Sequence, residues 1–497
     1  IFENLFFNFF LTLVSRIGGF IFTLIIARSL YPELFGIYSL ALTIILTIAT
    51  FTDLGLNSTL SRYLAEALKI KTEKTEKIAR ARIYFLLNFK IFLTIITAIL
   101  LFLLANPIAK LFNKPLLALP LKIGAIYIFI ISLHGFFNSI FYAIKKVNYS
   151  FFAETIFQFF RIFLVIIFLY ILKFVSVAYV FIALIIALFI AFLFLYSIIA
   201  IKYSFLIKGK KIKLKKEEKK KLLSFFGWLS ISSISLAFFA HIDTLMLGLY
   251  LPAEFVGYYN AIFAIVGAVA SFLTFGSVLL PIFTQIEHKK LEESFKKVYK
   301  YTAIIVIPAT IGLAYIIKPG IAIIYGPAYL PQAYKIAIII TSIFLSLLIF
   351  ESAFSSIYSS LFQAKEMPKI PSLLIIISSV INIILNYIFI RAGISIAQQY
   401  GLVGVALATL LARYSNMIGL AFFSRKKLKM KINTTLLLKP LLASLIMLAF
   451  LFAFDWLVPL SVLTGILMII TAVLIYFLAL WIVKGISKED FELIRRL

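Results

Sequence analysis

The stretch SVAYVFIALIIALFIAFLFLYSIIAI, residues 176–201, contains no charged side chain and is almost entirely apolar. A helix needs about 20 apolar residues to cross the hydrocarbon core of a bilayer, so this stretch predicts a transmembrane helix. Similar stretches recur along the chain, which is 63% hydrophobic, only 14% charged and has a mean hydropathy of +1.10. A water-soluble domain is far more polar. The sequence therefore predicts an all-α integral membrane protein with about 14 transmembrane helices.

The basic residues indicate the topology. The chain has 48 Lys and Arg against 20 Asp and Glu, a net charge of +28, which in a soluble protein would suggest nucleic-acid binding. Most of these residues lie in alternate connections between predicted helices, at 69–82, 145–146, 202–221, 289–300, 365–369, 425–439 and 484–496. Basic connections mark the cytoplasmic side. We therefore expect a multi-pass protein of the cytoplasmic membrane with both termini in the cytoplasm, in contact with membrane lipids and not with nucleic acid.

Several kinds of chemistry are disfavoured by the composition. The chain has no Cys, so it lacks disulfides, thiolate nucleophiles and Cys-based metal sites. It has no Gly-rich Lys-Ser/Thr loop for ATP, and its predicted outer loops are short and carry no acid/base constellation. We expect no enzymatic activity, no catalytic residue, no metal site and no cofactor, with Na⁺ or H⁺ as candidate coupling ions.

Two motifs recur at an offset of 221 residues. ELFGIY at 33–38 matches EFVGYY at 254–259, each shortly after a Pro, and SIFYA at 139–143 matches SLFQA at 360–364. Two matches in one register indicate an internal repeat. The repeated Glu-x-x-Gly-x-Tyr has a structural explanation, since Glu favours a helix start and Gly allows neighbouring helices to approach closely.

The repeat predicts the domain organisation. Because six helices return the chain to the side on which it started, the two halves have the same orientation and form a parallel repeat of two six-helix lobes. We predict an N-lobe at 1–201, a basic cytoplasmic linker at 202–221, a C-lobe at 222–424, and two further helices with a cytoplasmic tail at 425–497.

Charged residues inside the predicted helices are the candidate functional residues. A charge near mid-bilayer costs at least about 2.5 kcal/mol and should face a cavity or a partner. Arg16 and Arg161 are candidates for binding a headgroup phosphate, because a guanidinium matches phosphate geometry and stays charged. The alternative is an ion pair that only fixes helix packing, such as Arg16 with Asp53. Further cavity-lining or ion-coupling candidates are Asp53, His134, Asp243, Glu351 and Arg413.

These further candidates differ in what the sequence suggests for them. Asp53 precedes a polar stretch, and Thr52, Asn57, Ser58 and Ser61 are predicted to form one wetted wall of a cavity. In the second half, Arg413 has Glu351 or Asp243 as a carboxylate partner, so we favour a structural ion pair there. His134 is either a helix-contact residue or a proton-binding residue.

Four segments carry a resemblance to a known family. They are ARSLYPELFGIY at 27–38, DLGL at 53–56 leading to Ser61 and Arg62, YGPAY at 325–329, and YGLVGVALAT at 400–409. In this order, on a chain of so many apolar segments, they resemble the polysaccharide transporter or oligosaccharide flippase family. This family is related to the O-antigen and lipid II flippases and to the multidrug and toxin extrusion (MATE) exporters of the MOP superfamily.

The resemblance implies a function. It implies two lobes around a central cavity that opens alternately to each side, with a polyprenyl- or dolichyl-phosphate-linked oligosaccharide as substrate, for surface polysaccharide or glycoconjugate synthesis. We expect such a flippase to act as a monomer. The alternative is a cation-coupled MATE-like drug exporter, which would favour carboxylates over arginines in its first-lobe cavity. The family offers no universal ligand motif, so Arg16 and Arg161 are assigned from their positions alone.

Overall fold

The computed structural model describes residues 2–69, 72–209, 212, 214–274, 276–286, 288–430, 435–458 and 461–485. The predicted cytoplasmic tail beyond 485 lies outside these residues, as do 210, 211 and 213 of the predicted linker. The described chain is helical throughout and contains no strand, so the predicted all-α membrane architecture is confirmed.

The helices follow one another with short connections. The first eight are α1 (Phe2–Asp53), α2 (Leu56–Ala67), α3 (Glu73–Leu111), α4 (Ala118–Ala143), α5 (Val147–Ile166), α6 (Val177–Lys202), α7 (Lys216–Tyr250) and α8 (Ala253–Leu273). The other eight are α9 (Gly276–Gln285), α10 (His288–Tyr325), α11 (Lys335–Ser346), α12 (Leu348–Ala364), α13 (Lys369–Ile396), α14 (Tyr400–Leu428), α15 (Thr435–Leu457) and α16 (Val462–Ile482).

The predicted count of fourteen spans is not confirmed. Within the described residues, twelve segments are long and apolar enough to cross a membrane. The first of these, Phe6–Ala67, has 62 residues, enough for two crossings of a bilayer. No loop separates them because the chain turns within α1, where Tyr31 has φ 58° and Pro32 lacks an amide hydrogen. The apolar stretch at 222–250, which the sequence also predicts to cross the membrane, lies within α7 and is not among the twelve.

The chain forms two compact units, Ile1–Asn260 and Ala261–Leu497, called here the first and second unit. The core of the first unit is an apolar cluster around α2 and α4, in which Leu56, Leu60, Leu64, Phe136 and Phe141 are fully buried. The division into lobes at the basic linker stays a prediction.

In the second unit, α15 and α16 pack against α10. Met447 of α15 and Met468 of α16 belong to one buried cluster with Ile304 of α10. The hydroxyl of Tyr476 on α16 donates to the carbonyl of Ile304 at 2.7 Å. These two helices lie outside the repeat and cover the flank of α10, as expected for additions to a duplicated scaffold.

The repeated glycines make a reciprocal backbone contact inside the first unit. A Cβ added at Gly36 would lie 1.8 Å from the carbonyl oxygen of Ala253, and one added at Gly257 would lie 2.0 Å from that of Pro32. Only glycine permits this approach from both sides. The part of the structural explanation that concerns the glycines of the repeated motif is therefore confirmed.

A helix break also follows the repeat. The chain leaves α1 at Asp53, passes through Leu54 (φ 45°) and Gly55 (φ 89°), and enters α2 at Leu56. Shifted by 221 residues, Gly55 corresponds to Gly276, which begins α9 after α8 has ended at Leu273. Breaks at equivalent positions of two repeats are typical of transporters, where they lie beside substrate or ion sites.

The carboxyl end of α7 is capped by a lysine from a distant connection. Lys114 Nζ donates to the carbonyl oxygens of Gly248 at 2.5 Å, Leu251 at 2.8 Å and Phe112 at 3.2 Å. The last carbonyls of a helix lack partners within the helix, and a cation there is favourable. Lys114 therefore ties the connection between α3 and α4 to the end of α7.

We expect Gly36→Ala to lower the free energy of unfolding by about 1–3 kcal/mol, because its Cβ would collide with backbone atoms that cannot rotate away. The measurement is the melting temperature of the purified protein in detergent. Gly267→Ala on α8 is the matched control, since among the described residues nothing lies within 4 Å of its added Cβ. Equal decreases in melting temperature in the two variants would contradict the close backbone contact at Gly36.

Burial lowers the pKa of Lys114 from 10.5 to about 8. Between these pH values the folded state holds fewer protons on this residue than the unfolded state, so its contribution to stability rises with pH. The melting temperature of wild type relative to Lys114→Met should therefore increase as the pH is raised from 7 to 10. Lys110→Met, which removes a neighbouring exposed lysine, is the control. A difference in melting temperature between wild type and Lys114→Met that is the same at every pH would contradict the lowered pKa of Lys114.

Candidate functional site

A polar cavity of about 700 Å³ lies beside α2 and α4 in the first unit. Leu56, Leu60 and Leu64 recur every four residues and bury one side of α2 in the core, which leaves its polar side for the cavity. The lining residues are Asn57, Ser58, Ser61, Arg62, Gly135, Asn138, Ser139 and Tyr142. Asn57, Ser58 and Ser61 therefore form a cavity wall as predicted, whereas Thr52 is buried and is not part of the wall.

The break between α1 and α2 carries an ion pair. Lys90 Nζ on α3 lies 2.9 Å from Asp53 Oδ1 and 3.3 Å from Asn57 Oδ1, so one ammonium bridges the two sides of the break. The backbone N–H of Asn57 also donates a hydrogen bond to Asp53 Oδ1 at 3.1 Å. The Lys90 side chain is only 1% exposed, whereas that of Asp53 is 38% exposed. The sequence-based alternative that paired Asp53 with Arg16 is wrong, because within the described residues Lys90 is its ionic partner.

Arg161 on α5 is held by aromatic rings. Its guanidinium carbon lies 4.6 Å from the ring centre of Phe22 on α1 and 5.0 Å from that of Phe157. Cation–π contacts of this kind stabilise a desolvated charge while leaving its hydrogen-bond donors available. Arg161 Nε is buried without a hydrogen-bond partner, and among the described residues no carboxylate lies within ion-pair distance of this side chain.

A pair of glycines on α1 makes room for this group. A Cβ at Gly18 would lie 2.4 Å from Gln158 Oε1, and one at Gly19 would lie 3.4 Å from Arg161 Nη2. The helices α1 and α5 therefore meet with two polar side chains between them. Arg16, the second predicted phosphate residue, is exposed and precedes Gly19 by three residues, about one turn of α1.

Glu154 extends the polar character of this contact. Gln158 Nε2 donates to Glu154 Oε1 at 2.6 Å. His134 Nε2 and Asn138 Oδ1 on α4 are buried without a hydrogen-bond partner in the described structure, as is Gln158 Oε1. Groups left open in this way are suited to binding water or substrate hydroxyls.

Sequence reasoning missed the neutral amides Gln158 and Asn138. It sought formal charges, although an amide in hydrocarbon also requires partners. The signal that the sequence carries is the position of Gln158 within an apolar stretch predicted to cross the membrane; that the residue is only 5% exposed is known from the structure.

The remaining candidates form separate structural contacts. Glu351 on α12 lies 3.9 Å from Arg413 on α14 and accepts a hydrogen bond from Ser355 at 2.6 Å, so the expected structural pair is formed with Glu351. Asp243 on α7 accepts a hydrogen bond from the hydroxyl of Tyr259 at 3.0 Å. Their predicted role in ion coupling stays a prediction.

Comparison with known proteins identifies a family and a relative that resemble this chain. A family model described as "Polysaccharide biosynthesis protein" matches residues 1–287. The probable low-salt glycan biosynthesis flippase Agl15 of Haloferax volcanii is 25% identical over 295 residues, which cover 57% of this chain. The match spans 59% of the length of that relative.

Solved structures with the same fold are also known. The lipid II flippase MurJ in an inward closed conformation superposes with a TM-score of 0.76 at 20% identity, over 96% of this chain and 98% of that one. An inward-facing MATE family multidrug transporter of the MOP superfamily superposes with a TM-score of 0.63 at 16% identity, over 84% and 94% of the two chains. At these identities the likeness establishes the fold.

We expect Asp53→Asn to destabilise the protein by about 3–5 kcal/mol, because it leaves the ammonium of Lys90 buried without a counter-charge. The double variant Asp53→Asn/Lys90→Met should recover most of this loss, since it removes the charge as well. The melting temperatures of the two variants and wild type provide the measurement. Glu73→Gln, which breaks an exposed pair with Lys77, is the control and should change little. A double variant less stable than Asp53→Asn would contradict the pairing.

Proposed function

Because this chain belongs to the polysaccharide biosynthesis protein family, we propose that it is a flippase that moves a lipid-linked oligosaccharide across the cytoplasmic membrane by alternating access. The substrate consists of a glycan, a phosphate or diphosphate, and a polyprenyl or dolichyl chain. The name of Agl15 and the fold of MurJ support this class of transport. The protein itself provides the sites for the charged and polar parts of the substrate.

The observation that carries this proposal is the set of contacts made by the Arg161 side chain. An arginine buried in a membrane helix normally pairs with a carboxylate. Arg161 instead rests on the rings of Phe22 and Phe157, and its Nε has no hydrogen-bond partner. A phosphate can receive two parallel hydrogen bonds from such a guanidinium. Arg16, one turn from the contact of Gly19 with Arg161, supplies the second positive charge that a diphosphate requires.

The polar cavity is suited to the glycan. Its wall offers the amides of Asn57 and Asn138 and the hydroxyls of Ser58, Ser61 and Tyr142, each of which donates and accepts hydrogen bonds. Sugar hydroxyls need this mixture of donors and acceptors. Arg62 adds one cation to the same wall, which suits a glycan attached to an anionic linkage.

The alternative function, a cation-coupled drug exporter, needs a carboxylate that is available to the cation. The carboxylate of Asp53 is paired with Lys90 at 2.9 Å, and Glu154 receives a hydrogen bond from Gln158 at 2.6 Å. Both acids already have partners, and the aromatic-held arginine disfavours a cationic substrate. These contacts support the flippase over the exporter.

We expect Arg161→Ala to slow transbilayer movement of a fluorescent polyprenyl-diphosphate oligosaccharide in proteoliposomes by at least about tenfold, since the loss of even one charge-assisted hydrogen bond has about this effect. Arg16→Ala should also slow it, and Arg161→Lys should fall between Arg161→Ala and wild type, because an ammonium keeps the charge without the fork.

The matched control is Arg391→Ala. Arg391 also lies over an aromatic ring, 4.4 Å from the centre of Tyr387, but it is exposed on α13. This variant should flip the lipid at the wild-type rate. If Arg161→Ala and Arg16→Ala match Arg391→Ala, the phosphate site is refuted. If wild type flips no lipid-linked glycan and takes up cationic dyes in an ion gradient, the exporter is correct.

A further inference from the structure

The break between α1 and α2 has the form of a cation site. The carboxyl end of α1 carries the partial negative charge of a helix terminus. Beside it, Asp53 Oδ1 comes from the last residue of α1, and Asn57 Oδ1 comes from the first turn of α2. A broken membrane helix that brings a carboxylate, an amide oxygen and a helix carboxyl end together is the arrangement in which transporters coordinate a coupling cation.

A cation already lies between these oxygens. Lys90 Nζ is 2.9 Å from Asp53 Oδ1 and 3.3 Å from Asn57 Oδ1, and the lysine side chain is 1% exposed. The lysine enters from α3, and therefore from outside the broken helix. Its ammonium carries one positive charge and binds oxygen acceptors on both sides of the break, as a monovalent metal ion would.

We propose that the break at Asp53 and Asn57 is a monovalent-cation site whose cation is the ammonium of Lys90, supplied permanently by the chain itself. The first unit then needs no Na⁺ or K⁺ at this position, and removal of the ammonium uncovers a site that binds such an ion. The consequence for transport rests on the flippase function proposed above, whereas the cation site does not.

The geometry distinguishes this role from that of an ordinary packing ion pair. A packing pair needs one contact, but Lys90 donates to the residues on either side of a two-residue break at Leu54 and Gly55, both of which have positive φ. Its removal therefore takes away one of the two contacts that join the sides of the break, the other being the hydrogen bond from the Asn57 backbone N–H to Asp53 Oδ1. The Asp53 side chain is 38% exposed, so a small ion has access to the oxygens that Lys90 leaves.

The test uses the purified full chain and the variants Lys90→Ala and Lys90→Ala/Asp53→Asn. Melting temperatures are measured at one pH and one ionic strength in NaCl, KCl, methylammonium chloride or N-methyl-D-glucamine chloride. Wild type should melt at the same temperature in all four salts. Lys90→Ala should melt lowest in N-methyl-D-glucamine chloride and should regain stability saturably with Na⁺, K⁺ or methylammonium.

The expected size of the ion's effect on the stability of Lys90→Ala follows from mass action. At ten times the dissociation constant, the ion raises the folding equilibrium constant of Lys90→Ala about 11-fold. The double variant lacks the carboxylate and should not respond to any of the ions. Lys90→Gln, which preserves most of the side-chain volume without the charge, provides a second variant if Lys90→Ala does not fold.

Three results would overturn the proposal. They are a wild-type melting temperature that depends on the monovalent cation, a charge-removed variant that behaves alike in all four salts, and an equal ion response in the double variant. Flipping by wild type should likewise be independent of Na⁺ and K⁺, while Lys90→Ala should require one of them. Melting needs no substrate, so a chain that flips nothing but shows the ion response would refute only the proposed function.

Discussion

The ion pair between Lys90 and Asp53 is the interaction on which the interior of the first unit depends. A break in a membrane helix leaves backbone groups without helical partners, and each of these is expensive in hydrocarbon. Here the ammonium of Lys90 binds the side chains of Asp53 and Asn57 on the two sides of the break, and Asp53 accepts a hydrogen bond from the backbone N–H of Asn57. The break in turn directs the polar side of α2 towards the cavity while Leu56, Leu60 and Leu64 remain in the core. The buried ammonium of Lys90 is stable as a charge only because Asp53 is its partner.

The internal repeat includes features of the backbone but not the charged residues. The repeat preserves features of the backbone: the close contacts of Gly36 and Gly257, and the helix breaks at Gly55 and Gly276. The charges do not obey it, since residue 237, the equivalent of Arg16, is Ala, and residue 382, the equivalent of Arg161, is Asn. A duplicated scaffold therefore sets where helices start, bend and touch, whereas each half has its own polar side chains. This separation is expected when a fold is held by packing and its function resides in a few side chains.

The surroundings of Arg161 show how a charge can be kept in the membrane and still be available. Pairing it with a carboxylate would neutralise the site, and leaving it bare would be too costly. The faces of Phe22 and Phe157 offer an intermediate solution, because the ring quadrupoles stabilise the cation without using its hydrogen bonds. Gly18 contributes to the same arrangement, since a Cβ there would collide with Gln158, whereas a Cβ at Gly19 would be in van der Waals contact with Arg161.

The sequence by itself determined the membrane class, the repeat and most of the helices, because hydrophobic length, motif register and basic connections are properties of the chain read in order. It also predicted the wet wall of α2 and the pairing of Arg413 with Glu351. The partner of Asp53, the rings around Arg161 and the unpaired side-chain oxygens of Gln158 and Asn138 were decided only by tertiary structure. Which of several charges meet depends on the rotation of each helix about its axis, and that rotation is set by contacts such as those at Gly18 and Gly19. Periodicity identifies a face of a helix, but only packing selects the residue that lies opposite it.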